Sequence, residues 1–257
     1  MGRGTSKAGG GVSTVLPVTK MLVPPTPQQV AAGNILPQGG VPFKDFQNMT
    51  DDEKADVISD ALGVGTPIFL DDSGLQRFAY FTGMSDKPTT VSDSQLDSMK
   101  GTEIFRTVDN AYNRSTDIGY TSKDICDQIS KGDFTMYSDS GGSVHGRAIY
   151  FAENLRSSLS YRGSSNSLTM RAKITGGKGI DENKLSSDFS SALRRGDKLA
   201  LACGKADSSS ATNLYALAKG YTHITDKSYS GYAMILNRSC LTVSDTYKKS
   251  NTLGGSW

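Results

Sequence analysis

All eight prolines of this 257-residue chain lie at or before Pro88, and six of them at or before Pro42. Proline fixes φ and removes a backbone donor, which excludes it from helix interiors and central strands. Regular structure therefore has to gather in the later part of the chain. The segment Gly2–Pro42 is rich in Gly, Pro, Gln and small residues, with Pro24-Pro25-Thr26-Pro27 at its centre. Such a stretch buries too little apolar surface to offset its ordering entropy. Residues 1–45 read as an extended arm, either a free tail or a strap that docks on a partner.

After the arm, Thr50-Asp51-Asp52-Glu53 forms a capping box, and Val57, Ile58, Ala61 and Leu62 follow at helical spacing. Further helices are predicted over Leu75–Phe81 and Ser94–Met99, giving a helical subdomain over 46–100. Strands then begin at Glu103–Val108. The run Leu168–Ile174 alternates apolar and polar residues, as a half-buried strand should. Phe134–Tyr137, Ala148–Ala152 and Tyr232–Leu236 also read as strands. Helices are predicted at Ser122–Ile129, Asn154–Tyr161, Phe189–Leu193 and Asn213–Lys219. Helices first, then strands interrupted by helices, argue for an α+β fold.

Composition removes several functions. The formal net charge is +2, with 28 basic against 26 acidic residues, so no basic stripe calls for a nucleic acid. Mean hydropathy is −0.38, and no apolar run nears the roughly 20 residues of a membrane span. Cys126, Cys203 and Cys240 are far apart and fit neither a zinc site nor a disulfide framework. The start lacks an apolar signal core, so no secretory signal peptide is expected.

Chemistry gathers at His145-Gly-Arg-Ala-Ile-Tyr-Phe-Ala152, followed by Ser158 and Tyr161. A strand ending in aromatics leads into a helix whose Ser158 and Tyr161, three apart, share a face. Tyr150 and Tyr161 can then flank a slot for a flat heteroaromatic ring. Ordinary packing of two tyrosines beside a turn explains the same pattern.

Those residues resemble the nicotinamide pocket of poly(ADP-ribose) polymerases, Gly-x-Gly-x-Tyr-Phe-Ala followed by Ser-x-x-Tyr, with Ala148 in place of the second Gly. Ile104-Phe-Arg-Thr107 is similar to the first-strand Tyr-Arg-Gly of arginine-type ADP-ribosylating toxins, with Thr107 replacing the Gly. Leu214–Tyr221, Ile224 and Tyr232–Leu241 resemble the closing segment of ADP-ribosyltransferase-like domains found in phage head-associated proteins and toxins. The order and spacing of the three place the likeness in the ADP-ribosyltransferase superfamily.

The resemblance implies that residues 101–257 form split antiparallel sheets around a cleft. It implies NAD as cofactor, and a protein acceptor or virion subunits as partners. Arg106 would meet the NAD phosphate or ribose, Tyr150 and Tyr161 would sandwich the nicotinamide, and Ser158 would bond its carboxamide. The family's catalytic Glu belongs near Ser230-Gly231-Tyr232. The chain has four Glu, at 53, 103, 153 and 182, and none there. Asp226 is the nearby acid. The implied function is mono-ADP-ribosyl transfer to a protein; the alternative is a virion-associated structural protein with a degenerate fold of this type. Ser143, His145 and Asp139 offer a hydrolase reading that lacks a nucleophile elbow. His223, at the start of a strand, suits a satisfied core histidine better than a base.

Overall fold

The computed structural model describes residues 41–64, 68–70, 86–113, 118–131, 148–206, 210–226, 231–254 and 257. The helix expected at Leu75–Phe81, the strand at Phe134–Tyr137, the Ser143/His145/Asp139 group and most of the arm lie outside these residues.

The elements run β1 (Val41–Pro42), α1 (Phe43–Asn48), α2 (Asp51–Val64), β2 (Phe69–Leu70), β3 (Thr89–Val91) and α3 (Asp93–Ser98). Next come β4 (Thr102–Val108), β5 (Ala111–Asn113), β6 (Ile118–Tyr120), α4 (Ser122–Ser130), β7 (Ile149–Ala152) and α5 (Leu155–Leu159). Then follow β8 (Leu168–Ile174), β9 (Gly179–Asp181), α6 (Glu182–Arg194), α7 (Lys198–Cys203) and α8 (Ala211–Ala218). The chain closes with β10 (His223–Asp226), β11 (Tyr232–Ile235) and β12 (Leu241–Lys249).

The class is α+β, built on an eight-stranded mixed sheet in the order β3-β12-β8-β4-β7-β11-β10-β9. This corrects the expectation of two separate antiparallel sheets. β3 pairs parallel with β12, and β9 pairs parallel with β10. The chain passes from β9 to β10 through α6, α7 and α8, and a parallel neighbour requires such a crossover. The middle of the sheet is its thinnest place. β4 is paired along its whole length with β8, from Thr102–Ile174 to Val108–Leu168, but meets β7 at one register pair, Phe105–Ala152.

Strand alternation sends successive side chains to opposite faces. Ile149 and Phe151 of β7, and Ala233 and Ile235 of β11, enter the core under α4 with Ile125, Cys126 and Ile129. Tyr150, Tyr232 and Met234 belong to the opposite core, with α1, α2, α6, α7 and α8. Helix α2 contributes Ala55, Ile58 and Ala61 to that core. Each buried Ile or Leu there stabilises the fold by roughly 1.5–3 kcal/mol. Segment 46–100 is thus packed into the body: α2 shares its core, and β3 extends its sheet. Val41–Asn48 is already regular, ahead of the boundary expected at 46.

The capping box forms as expected: Thr50 N–H donates to Glu53 Oε2 at 2.8 Å, and Glu53 N–H donates to Thr50 Oγ1 at 3.3 Å. Two other helices end on buried cations. Lys54 Nζ donates to the Ala218 carbonyl of α8 at 3.0 Å, and Arg238 Nη1 donates to Gln128 O and Ile129 O of α4 at 2.7 and 3.1 Å. Positive charge at a helix C-terminus satisfies orphan carbonyls and complements the macrodipole. β8 is buried on both faces, which corrects the half-buried reading. Its polar positions are covered because Arg171 pairs with Asp97 and Glu103, and Lys173 Nζ donates to Met99 O at 2.8 Å. Among the described residues, no helix is long and apolar enough to cross a membrane.

Candidate active site

The site grows out of the thin joint between β4 and β7. Arg106 follows Phe105, the joint's one paired residue on β4. Its Nη1 crosses the gap and donates to the Tyr150 carbonyl. The guanidinium thus takes up an acceptor that the interrupted ladder leaves over. Its Nε is sealed from solvent and has no hydrogen-bond partner. No carboxylate pairs with Arg106 among the described residues. Burial pushes its pKa down, while the Cys126 thiol and the Tyr150 and Tyr161 hydroxyls lie within electrostatic reach and oppose that shift.

Thr107, the next residue, turns to the other face. Its Oγ1 lies 2.9 Å from Ser158 Oγ and 2.9 Å from Thr169 Oγ1. Helix α5 sets Ser158 there: Asn154 caps it, its Oδ1 accepting from Ser157 N–H at 2.8 Å, and Leu155 anchors it on Phe105. Ser158 is 1% exposed. The joint therefore brings Arg106 to the Tyr150 carbonyl, while Ser158 packs on Thr107 on the other face of β4.

Tyr161 and Asp226 are placed differently from the sequence expectation. The helix stops at Leu159, so Tyr161 falls in the following turn and is 73% exposed, while Ser158 points inward. They do not share a face. Tyr150 packs its ring against Tyr232, centroids 6.3 Å apart and tilted by 50°. Asp226 is 5% exposed, at the end of β10 opposite Tyr232. The Tyr232 hydroxyl donates to Glu182 Oε2 at 2.7 Å and is also hydrogen-bonded to Asp226. Burial first, then these two acids, push the Tyr232 hydroxyl far above its ordinary pKa. Asp226 is thus committed to the packed interior of β10 and β11.

Glu153 stands where sequence reasoning found no carboxylate. It follows β7, and its N–H donates to the Gly231 carbonyl at 2.7 Å. A Cβ on Gly231 would meet Glu153 Oε2 at 2.9 Å and Glu153 Cβ at 3.2 Å. The Glu153 carboxylate therefore lies in the space a side chain at 231 would use. Glu153 is half-buried and has no ion-pair or hydrogen-bond partner for its carboxylate among the described residues. The signal that finds it is register: Ala152 pairs with Tyr232, so residue 153 falls beside residue 231.

No protein-family model, curated protein or solved structure matches the chain.

The remaining candidates are structural. His223 Nδ1 lies 3.1 Å from Thr222 Oγ1 and its ring covers Gly179, with burial lowering its pKa. Gly177, at φ 75°, lies in the bend that leads into β9, and Gly179 opens that strand. The three cysteines are buried and free, and among the described residues no group of His, Cys, Asp and Glu could hold a metal ion.

Proposed function

We propose that this chain is an NAD-dependent mono-ADP-ribosyltransferase acting on a protein. The observation that carries the reading is Arg106, a half-buried guanidinium with an orphaned Nε and, among the described residues, no counter-ion, at the thinnest place in the sheet. Its residues fit NAD on that ground, since a phosphate oxygen would satisfy Nε and neutralise the charge.

When bound, NAD supplies a glycosidic C–N bond to a cationic leaving group, and breaking it hands ADP-ribose to an acceptor nucleophile. Arg106 would orient the pyrophosphate or ribose. Tyr150 would offer a ring face to the nicotinamide, and Ser158 a hydroxyl to its carboxamide. Tyr161, exposed beside them, would close the slot from the outer side. Glu153 takes the acid's role in preference to Asp226, because Glu153 is half-buried and its carboxylate has no partner among the described residues, while Asp226 is buried against Tyr232. It would accept from a ribose hydroxyl, stabilise positive charge as the leaving group departs, and take the acceptor's proton.

One observation favours the second reading, a virion-associated packing body. Arg106 already spans the joint to Tyr150, which is structural work. Nicotinamide release from NAD separates the two. Release by the wild type, slowed about a hundredfold or more in Glu153→Gln, is the expected result. A folded wild type that neither binds nor cleaves NAD leaves the packing body.

A further inference from the structure

Helices α2 and α7 pack against each other on one core, which takes Ala55 and Ile58 from the first and Leu199 and Cys203 from the second. Their outer faces carry opposite charge. On α2, Asp52, Asp56 and Asp60 recur every four residues and are exposed, so they form one stripe. On α7, Lys198 and Leu201 are three apart, and the turn continues to Lys205, whose N–H donates to Ala202 O at 3.2 Å. Helical spacing puts these three on one face too, with both lysines exposed and Leu201 50% exposed. The two stripes meet where Lys198 Nζ stands 3.5 Å from Asp52 Oδ2.

Neither stripe is satisfied within the chain. The Lys198 and Asp52 side chains are largely exposed, so their pair contributes little. Asp56, Asp60 and Lys205 have no ion-pair partner among the described residues. Like charges four apart disfavour the helix that carries them, and Asp56 and Asp60 stand beyond the first turn, where the helix dipole no longer favours an acid. A nucleic acid or an anionic lipid surface would be drawn to the lysines and repelled by the aspartates beside them. A partner that offers acid to base and base to acid at once is a second copy turned by a two-fold axis, because an isologous contact sets a patch on its own counterpart.

We propose that the outer face of α2 and α7 is a self-complementary docking surface for a second copy of this chain. In the resulting dimer the Asp52–Asp56–Asp60 stripe of each copy lies on the Lys198–Leu201–Lys205 stripe of the other. The charges select the partner and fix its orientation, and Leu201 of each copy is covered by α2 of the other, which keeps water from the contact. Salt weakens the association, since its charges come from exposed positions.

Sedimentation equilibrium of the full chain tests this, with circular dichroism to show that each variant is folded. The wild type is expected to dimerise at about 100 μM protein in about 0.05 M salt, and to associate about tenfold more weakly in about 0.5 M salt. Asp56→Lys combined with Asp60→Lys should leave a folded monomer, and so should Lys198→Glu combined with Lys205→Glu. In each, like charges would face one another across the axis. An equal mixture of the two variants should restore the dimer. One chain carrying all four substitutions should restore it as well, and its net charge is that of the wild type. A wild type that stays monomeric at low salt overturns the proposal. Reversed variants that dimerise as the wild type does overturn it too, as does failure of either the mixture or the fourfold variant to restore the dimer.

Discussion

Arg106 on β4 reaches across to the carbonyl of Tyr150 on β7, at the place where the sheet is held by the single pair Phe105–Ala152. This contact has two opposed energetic terms. A charge-assisted hydrogen bond is gained, and a buried Nε is left without a partner. The two nearly cancel, so Arg106 stabilises the fold little and remains free to act on a ligand. Arg106→Gln should lower the unfolding free energy in urea by no more than about 2 kcal/mol. A loss well above about 3 kcal/mol would assign Arg106 to holding the sheet together.

Arg238 is the contrasting case. It is fully buried and donates to two carbonyls at the end of α4. Arg238→Met should orphan both acceptors and cost about 2–4 kcal/mol, read as a lowered thermal midpoint. A midpoint equal to wild type would remove the capping account.

Gly231 links backbone strain to the acid. Its φ is 56°, and a Cβ there would press on Glu153 Oε2 at 2.9 Å. Gly231→Ala should cost about 1–2 kcal/mol from the left-handed backbone. It should also slow nicotinamide release by displacing Glu153 while leaving NAD affinity close to wild type. Equal losses in affinity and turnover would separate Glu153 from the chemistry.

The single tryptophan reports on pH. Trp257 Nε1 donates to Asp93 Oδ1 at 3.2 Å. Burial works to raise the Asp93 carboxyl, but bonds from Ser244, Thr246 and Trp257 and the Lys248 ammonium outweigh it and hold the pKa below the ordinary value. A depressed folded-state pKa contributes stability that is present above the unfolded value and is lost as pH falls through the folded one. Trp257 fluorescence should therefore change with a midpoint below about 3.8, and Asp93→Asn should abolish that transition. A midpoint above the ordinary aspartate value would contradict these contacts.

Burial, set against the nearby Arg106 charge, pushes the Cys126 thiol up to about 12. Burial likewise pushes Cys240 up to about 12 and raises Cys203. All three should resist an aromatic disulfide reagent at pH 8 in the native protein and react at once in denaturant. Rapid native labelling of any of them would show that its core opens.

Much of the body was legible because period and punctuation act locally. Leu168–Ile174 as a strand, the Thr50 capping box and α4 follow from neighbours a few residues apart. The edge strands were not, because Thr89–Val91 and Gly179–Asp181 have no pattern of their own and exist by pairing with β12 and β10. At the site, the residue types in Tyr150, Ser158 and Arg106 were readable; the structure joins Arg106 to the Tyr150 carbonyl and sets Ser158 against Thr107. Which acid is available was not. Sequence distance favoured Asp226, whereas cross-strand register puts Glu153 beside Gly231 and Tyr232 against Asp226. Thr107 registered only as a mismatch, and its contacts with Ser158 and Thr169 come from residues 51 and 62 positions away.

The most direct test of the account is a calorimetric titration of NAD into the folded wild type and into Arg106→Gln. The account predicts saturable binding by the wild type, weakened at least tenfold, or by about 1.4 kcal/mol, in the variant. A folded wild type that takes up no NAD at millimolar concentration would contradict it, and Arg106 would then be a strand joint and nothing more.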